Sequence, residues 1–451
     1  MQSNKKIHII SIGGSVMHDL AINLKNNGNY ITGSDDKIYE PSKSNLIKNN
    51  LYPSQIGYHK DNITDDLDFV ITGMHTKMDN TELNYAKEKN IPIYSYPEFI
   101  RNFSDNKHRI IISGSHGKTT ITSMIMHVLK ENNVKFDFVI GGRAKGFQSN
   151  IKLSDSPIII IEGDEYLTSP LDSKPKFLKY DHHIVLLNGI EWDHCNVFKN
   201  KNIYKKQFLD LIKNTPKGGE IIYYENDKNV KHIIENYDNE DVTLRSYSHE
   251  KKIIKGKSSY VINEVNKPIK INIFGKHNLQ NIAGTKIVCE QLGIKEKNFY
   301  NAIRTYKLPE NRLNIIYNKK IKVFRDFAHS PSKLSSTIEA VKSFYNKKLL
   351  VVYELHSSSS FNRTFLKTYK DSTINSDESM IYLSDKLVKE KKYKKPSKSD
   401  MCKYFNSEKL IYVNELKKLI SLLSRKKYDN YHKLFMSSGN FDGINLKEIY
   451  K

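Results

Sequence analysis

Cysteine is nearly absent: Cys195, Cys289 and Cys402 are the only three in 451 residues. None forms a CxxC pair, which argues against a disulfide framework or a structural zinc site and fits a reducing cytoplasm. Tryptophan is rarer still, with Trp192 alone. No stretch approaches the roughly eighteen uninterrupted apolar residues of a membrane span. Met1–Ile10 passes straight into a strand-like run, without the apolar core of a signal peptide. No short internal repeat is visible. Acidic residues are the minority, 50 against 72 basic, for a net charge of +22. Yet no arginine-rich stripe accompanies that excess. The lysines are scattered among Asn and Ile, and the densest run, Lys386–Lys398, reads as a solvated face. A nucleic-acid partner is therefore not expected. What is not scarce is core material: 38% hydrophobic and 11% aromatic residues. At this length the chain is expected to form two to four domains.

The pattern along the chain is strand, loop, helix, which predicts an α/β fold with parallel sheets. The first segment has strands at His8–Ile12, Tyr30–Thr32, Phe69–Thr72 and Ile91–Tyr94, with a helix over Val16–Asn26. The polar stretch Asn102–His108 reads as a linker. The second segment has strands at Arg109–Ile112, Phe138–Ile140, Pro157–Ile161, His183–Leu187, Glu220–Tyr224 and Ile271–Gly275. Its helices are expected at Thr119–Lys130 and Asn278–Leu292. A third segment starts near Pro309, with strands at Lys322–Phe324, Leu349–Val352, Met380–Leu383 and Lys433–Met436, and a helix over Lys333–Phe344. In open α/β sheets, ligands bind beyond the carboxyl ends of strands.

The strongest motif lies between a strand and a helix: Gly114-Ser115-His116-Gly117-Lys118-Thr119-Thr120. Small residues free the backbone N–H groups to face a phosphate, and a helix N-terminus favours anions. Lys118 would neutralise the β/γ-phosphates, and the Thr119 hydroxyl would hold Mg²⁺. The loop is shorter than the usual P-loop, since Ile112 stands where a first glycine would. Next is Glu162-Gly163-Asp164-Glu165-Tyr166, at a strand end. Glu162 or Glu165 is a candidate Mg²⁺ ligand; a solvated acidic turn is the other reading. Asn188–His194 offers Asp193 and His194 as metal ligands, or a core Trp192 with a hydrogen-bonded histidine. Gly275–Asn281 opens a helix, where Asn278 and Gln280 suit a nucleotide base or ribose, or serve as caps. Asp326–Pro331, with Arg312 upstream, suits phosphate contact by His329, or forms a surface loop. Ser11–Ser15 with Asp35 is a degraded dinucleotide fingerprint, compatible with a nucleotide diphosphate.

In this order, these residues resemble the signatures of the Mur ligase family, over essentially the whole chain. The resemblance implies three α/β domains: a small Rossmann-like UDP-sugar-binding domain (1–106), a central P-loop ATPase-like doubly wound domain (107–308) and a Rossmann-like amino acid or peptide domain (309–451). It implies an ATP- and Mg²⁺-dependent ligase that forms an amide on UDP-N-acetylmuramate through an acyl phosphate. Lys118, Glu162, His194, Asp326 and His329 would be catalytic. Gly114, Ser115, His116, Gly117, Lys118, Thr119, Thr120, Asn278, Asn281 and Arg312 would bind ATP. Gly13, Gly14, Ser15, Asp35 and His75 would bind the UDP-sugar, and Thr119, Glu162, Glu165 and His194 the metal. Ile161–Tyr166 running on through Asp172–Phe177, and Ser437–Gly443 with substituted glycines, resemble the murein peptide ligase branch. That branch attaches the tripeptide L-alanyl-γ-D-glutamyl-meso-diaminopimelate. The L-alanine-adding branch is the alternative, followed by a non-catalytic nucleotide-binding protein. Glu354-Leu355-His356-Ser357–Ser360 replaces a more basic family motif. No clear lysine stands where several members carry a carbamylated one.

Overall fold

Runs of branched aliphatic residues without polar alternation form strands buried on both faces. Arg109-Ile110-Ile111-Ile112 is such a run, and its three isoleucines are fully buried. The computed structural model describes residues 3–170, 172–255, 258–262 and 267–450. They divide into two compact units: Met1–Ile190, Lys205–Tyr247 and Gly284–Ala302 form the first, and Glu191–Tyr204, Ser248–Ala283 and Ile303–Lys451 the second.

The first unit holds two large sheets and the two-stranded antiparallel pair Leu167–Ser169 and Asp172–Pro175. One is all parallel, in the order Tyr30–Ser34, Lys6–Ile10, Phe69–Thr72, Ile93–Ser95. The other has seven strands, in the order Thr243–Tyr247, Glu220–Tyr224, Ile184–Leu187, His108–Ser113, Ile158–Glu162, Asp137–Val139, Ile151–Lys152. Only the last of these pairs antiparallel. The helix Lys118–Glu131 buries Ile121, Met124, Ile125 and Val128 at helical spacing, with Met126 and Leu129 widening the apolar face.

Two boundaries differ from expectation. The stretch Asn102–His108 is not all linker: a helix, Tyr96–Phe103, runs into it and a strand begins at His108. Ser95 starts that helix with a capping box to Glu98, and Phe99 and Ile100 bury its face. The strand expected over Ile271–Gly275 instead spans Pro268–Ile271, and the next helix opens at Lys276.

The second unit holds a six-stranded sheet in the order Asn314–Asn318, Lys322–Asp326, His432–Met436, Leu349–Glu354, Glu378–Tyr382, Ile411–Val413. All pairs are parallel except the first. Alternate residues feed two cores: Phe324, Val351 and Leu434 on one face, and Val323, Val352 and Phe435 on the other. A three-stranded antiparallel sheet, Lys252–Lys255, Ser258–Ile262 and Pro268–Ile271, was not foreseen beyond a strand near its end. Among the described residues no helix is long and apolar enough to cross a membrane.

One buried cation in this unit has a measurable cost. Lys433 is 2% exposed. Its ammonium donates to the Tyr428 carbonyl at 2.8 Å and lies 5.2 Å from the Tyr450 ring centre. Burial lowers its pKa from 10.5 to about 8, only partly offset by Asp429. The folded state thus binds fewer protons than the unfolded state between these values. The penalty is complete below pH 8 and fades as pH rises toward 10.5. Lys433→Met is expected to stabilise the second unit at pH 7 by up to about 3 kcal/mol. It should also flatten stability against pH across that window. Equal melting temperatures for both proteins at pH 7 would contradict this.

Candidate active site

Strand order assembles the first cluster. His108–Ser113 lies between Ile158–Glu162 and Ile184–Leu187, so Glu162 and Asn188 flank the loop that follows it. Gly114 has φ 120°, and a Cβ there would come 3.0 Å from the Asn188 nitrogen and the Gly189 carbonyl. The Ser115 N–H donates to that carbonyl at 2.9 Å. The Asn188 amide donates to the His116 carbonyl at 3.1 Å, and the Tyr247 hydroxyl braces Asn188 in turn. Gly117 takes a left-handed conformation, φ 75°, as the cap of the helix Lys118–Glu131. The loop is thus pressed against its neighbours and opens onto a helix N-terminus.

The Lys118 ammonium donates to the Gly114 carbonyl at 2.8 Å and to Glu165 Oε2 at 2.6 Å. Burial alone would lower its pKa. The carboxylates of Glu165, Asp164 and Glu162 outweigh that and raise it above the ordinary lysine value. Lys118 therefore stays charged at neutral pH. The Thr119 hydroxyl donates to Glu162 Oε1 at 2.7 Å, and the Gly141 N–H donates to Glu162 Oε2 at 2.7 Å. A hydroxyl and a carboxylate held this way form a hard oxygen pair of the kind Mg²⁺ prefers.

The second unit carries its own cluster. Asp193 is 3% exposed, and Lys333 Nζ lies 3.1 Å from its Oδ2. Burial would raise the Asp193 pKa, but Lys333, His329 and His194 hold it well below the usual carboxylate range. His329 is pushed below the ordinary imidazole value by burial and by Lys333, against the pull of Asp193. Its Nδ1 sits 2.8 Å from the Phe327 carbonyl, so Nδ1 carries the proton. Nε2 is then an acceptor for Lys333 Nζ at 3.3 Å. His194 has a left-handed backbone, φ 51°, and its N–H donates to Asp193 Oδ1 at 2.8 Å.

Residues 6–108 match the Mur ligase family catalytic domain, and residues 112–289 the Mur ligase middle domain. The UDP-N-acetylmuramate–L-alanine ligase of Persephonella marina is 31% identical over 370 residues, which is 80% of this chain and 77% of that protein. The chain belongs to the Mur ligase family. It is an ATP-dependent, amide-bond-forming ligase of peptidoglycan synthesis. The same fold occurs in the UDP-N-acetylmuramate–alanine ligase of Thermotoga maritima, with TM-score 0.72 and 21% identity, covering 97% of this chain and 96% of that one. It occurs also in the murein peptide ligase of Psychrobacter arcticus, with TM-score 0.67 and 22% identity, covering 98% and 97%.

In this Mur ligase the remaining candidate residues fall at strand ends and helix starts. Asp35 accepts from the Gly13 N–H at 2.8 Å and so fixes the first glycine turn. Burial raises its pKa, against the backbone bonds. Gly14, Ser15 and His75 lie beyond the carboxyl ends of Lys6–Ile10 and Phe69–Thr72, with Ser15 and His75 exposed. Asp326 accepts from the Leu313 N–H and the Ala328 N–H, each at 2.7 Å, which ties two loops together. The Arg312 guanidinium lies 4.8 Å from the Phe327 ring centre. Asn278 and Asn281 are buried at the start of the helix Lys276–Gln291, and the Asn278 amide donates to the Phe274 carbonyl at 2.8 Å. Thr120 is buried in the first turn of its helix. Lys333 was not singled out from sequence. Its position four residues after His329, across the helix start at Pro331, was the available signal.

Proposed function

We propose that this ligase joins the carboxylate of UDP-N-acetylmuramate to the amine of L-alanyl-γ-D-glutamyl-meso-diaminopimelate. A carboxylate is a poor acyl donor at neutral pH. Transfer of the γ-phosphoryl group of ATP to it gives an acyl phosphate. The amine then attacks the carbonyl carbon, and the tetrahedral intermediate releases phosphate and a proton to leave the amide. The protein's part is positioning and charge neutralisation.

The observation that carries this reading is the charged, partly buried Lys118 in a glycine loop at a helix N-terminus. The loop's N–H groups and the helix dipole favour the triphosphate, and Lys118 offsets charge on the transferring phosphoryl group. Thr119 and Glu162 would hold Mg²⁺, which when bound would neutralise phosphate charge. Glu165 pairs with Lys118 and keeps it in place. His194 is assigned as a further metal ligand, His329 and Asp326 to catalysis, and Arg312, Asn278 and Asn281 to ATP binding. Gly13, Gly14, Ser15, Asp35 and His75 are assigned to the UDP-sugar, in a cytoplasmic setting. The functional division is 1–106, 107–308 and 309–451.

Two observations favour the tripeptide. The acidic strand end leads into the hairpin Leu167–Ser169 and Asp172–Pro175, whose following Lys176 reaches back to Asp164 at 2.7 Å. The residues Ser437–Gly443 resemble, with substituted glycines, the sequence of the murein peptide branch. L-Alanine is the second reading, favoured by the identity with the Persephonella marina L-alanine ligase. The deciding experiment measures phosphate release with ATP, Mg²⁺ and UDP-N-acetylmuramate, offering tripeptide and L-alanine in parallel. Release that requires the tripeptide is expected. Release with L-alanine alone selects the second reading, and release with neither overturns both.

A further inference from the structure

Arg325 lies one residue from the carboxyl end of the strand Lys322–Asp326. Across the intervening strand His432–Met436, the strand Leu349–Glu354 ends in Glu354, which is 1% exposed. The segment Ser437–Gly443 folds over both. Glu354 accepts from the Ser437 hydroxyl and from the Phe441 N–H, so its Oε2 is committed to that segment. Arg325 Nη2 donates to the Gly439 carbonyl, and the guanidinium carbon lies 5.0 Å from the Phe441 ring centre. The other arm, Nη1, is buried with no partner among the described residues, and so is the Ser438 hydroxyl.

A guanidinium arm buried without a partner is costly, because an N–H group stripped of water recovers nothing. The segment above it is strained as well: Phe441 and Asp442 both have φ 53°. A bulky residue rarely adopts that conformation. A Cβ on Gly439 would collide with the His356 ring, so Gly439 is the residue that lets this turn close. The whole arrangement stands at the carboxyl ends of the central parallel strands, where open sheets bind ligands. A guanidinium presents N–H groups in a planar fork that matches the two oxygens of a carboxylate, whereas a backbone carbonyl takes one arm.

We propose that Arg325 binds a carboxylate of the amine-bearing substrate, displacing the Gly439 carbonyl. This rests on the ligase reading and names the group by which the acceptor is recognised. The amine stays free to attack, since the fork grips another part of the molecule.

The test is steady-state kinetics on the full chain. The acceptors are L-alanine, L-alaninamide, the tripeptide and tripeptides amidated at each carboxylate in turn. For the active acceptor, native protein is expected to prefer the acid over one of its amides by roughly 10²-fold in kcat/KM. In Arg325→Met that ratio should fall to about one, with a raised acceptor KM and unchanged KM for ATP and UDP-N-acetylmuramate. Arg325→Lys should recover part of the ratio. The proposal is overturned if Arg325→Met keeps the native ratio, or if native protein treats every acid and amide alike. If Arg325→Met does not fold, Arg325→Lys and the native ratio decide, and a native acceptor KM and ratio in Arg325→Lys overturn it. A native chain that ligates no acceptor sinks the ligase reading itself, a result distinct from one that ligates acid and amide equally.

Discussion

Lys118→Ala is expected to lower kcat for ATP-dependent ligation by roughly 10²–10³-fold, the usual cost of removing one electrostatic contact to developing charge. Lys118 is 14% exposed at its side chain, and its Glu165 partner 1%. The substitution removes the ammonium that pairs with the buried Glu165 carboxylate and offsets the charge of Asp164 and Glu162. Some loss of stability accompanies the loss of turnover. A thermal melt separates the two: a protein that still melts cooperatively but releases little ADP on addition of UDP-N-acetylmuramate and acceptor has lost chemistry. Near-normal turnover in a folded Lys118→Ala protein would remove the phosphate role from this loop.

The loop was legible because its signals are local. A strand, two glycines three residues apart, a lysine and two threonines fall within one short stretch, and each has a backbone or charge requirement behind it. The partner of Thr119 was only half legible. Glu162 is 43 residues away, and nothing local says which strand ends beside His108–Ser113. The strand order supplies that, by placing Ile158–Glu162 alongside in parallel register. Lys333 and Asp193 are 140 residues apart and were joined only by the fold. The helix Tyr96–Phe103 is a different case. Its capping box, Ser95 with Glu98, and its proline in the first turn were visible in the sequence. The polar residues that follow, Asn102 and Ser104–Lys107, mask that signal, because a polar helix end and a linker have the same composition. The antiparallel sheet over Lys252–Ile271 was missed because short Lys/Ile/Ser alternations fit a loop or an edge strand equally well.

Glu82→Ala is expected to destabilise the first unit by about 3–5 kcal/mol, the cost of breaking a buried charged network by removing one member. Glu82 and His8 are both fully buried. Glu82 Oε2 accepts from the Ser34 hydroxyl and lies 3.2 Å from His8 Nε2. Oε1 accepts from the His59 N–H at 3.0 Å and the Asn62 amide at 2.7 Å. Alanine would take the acceptor from all four groups, and of these the Ser34 hydroxyl and the His8 ring are fully buried. Burial would raise the Glu82 pKa, but His8, Ser34 and Asn62 together bring it below the usual 4.5. A lowered folded pKa means a stabilising contribution present above pH 4.5 and lost as pH falls through the folded value. Native protein should therefore lose more stability than Glu82→Ala on acidification below pH 4.5. Glu82→Gln keeps an acceptor oxygen and should cost less. The effect should reach function too, because the loop held by His59 and Asn62 also carries Tyr58, whose hydroxyl lies 3.3 Å from Ser11 Oγ beside the first glycine turn. A raised KM for UDP-N-acetylmuramate, with KM for ATP unchanged, is the expected signature. A Glu82→Ala protein within about 1 kcal/mol of native in urea unfolding would show that the surrounding groups find other partners.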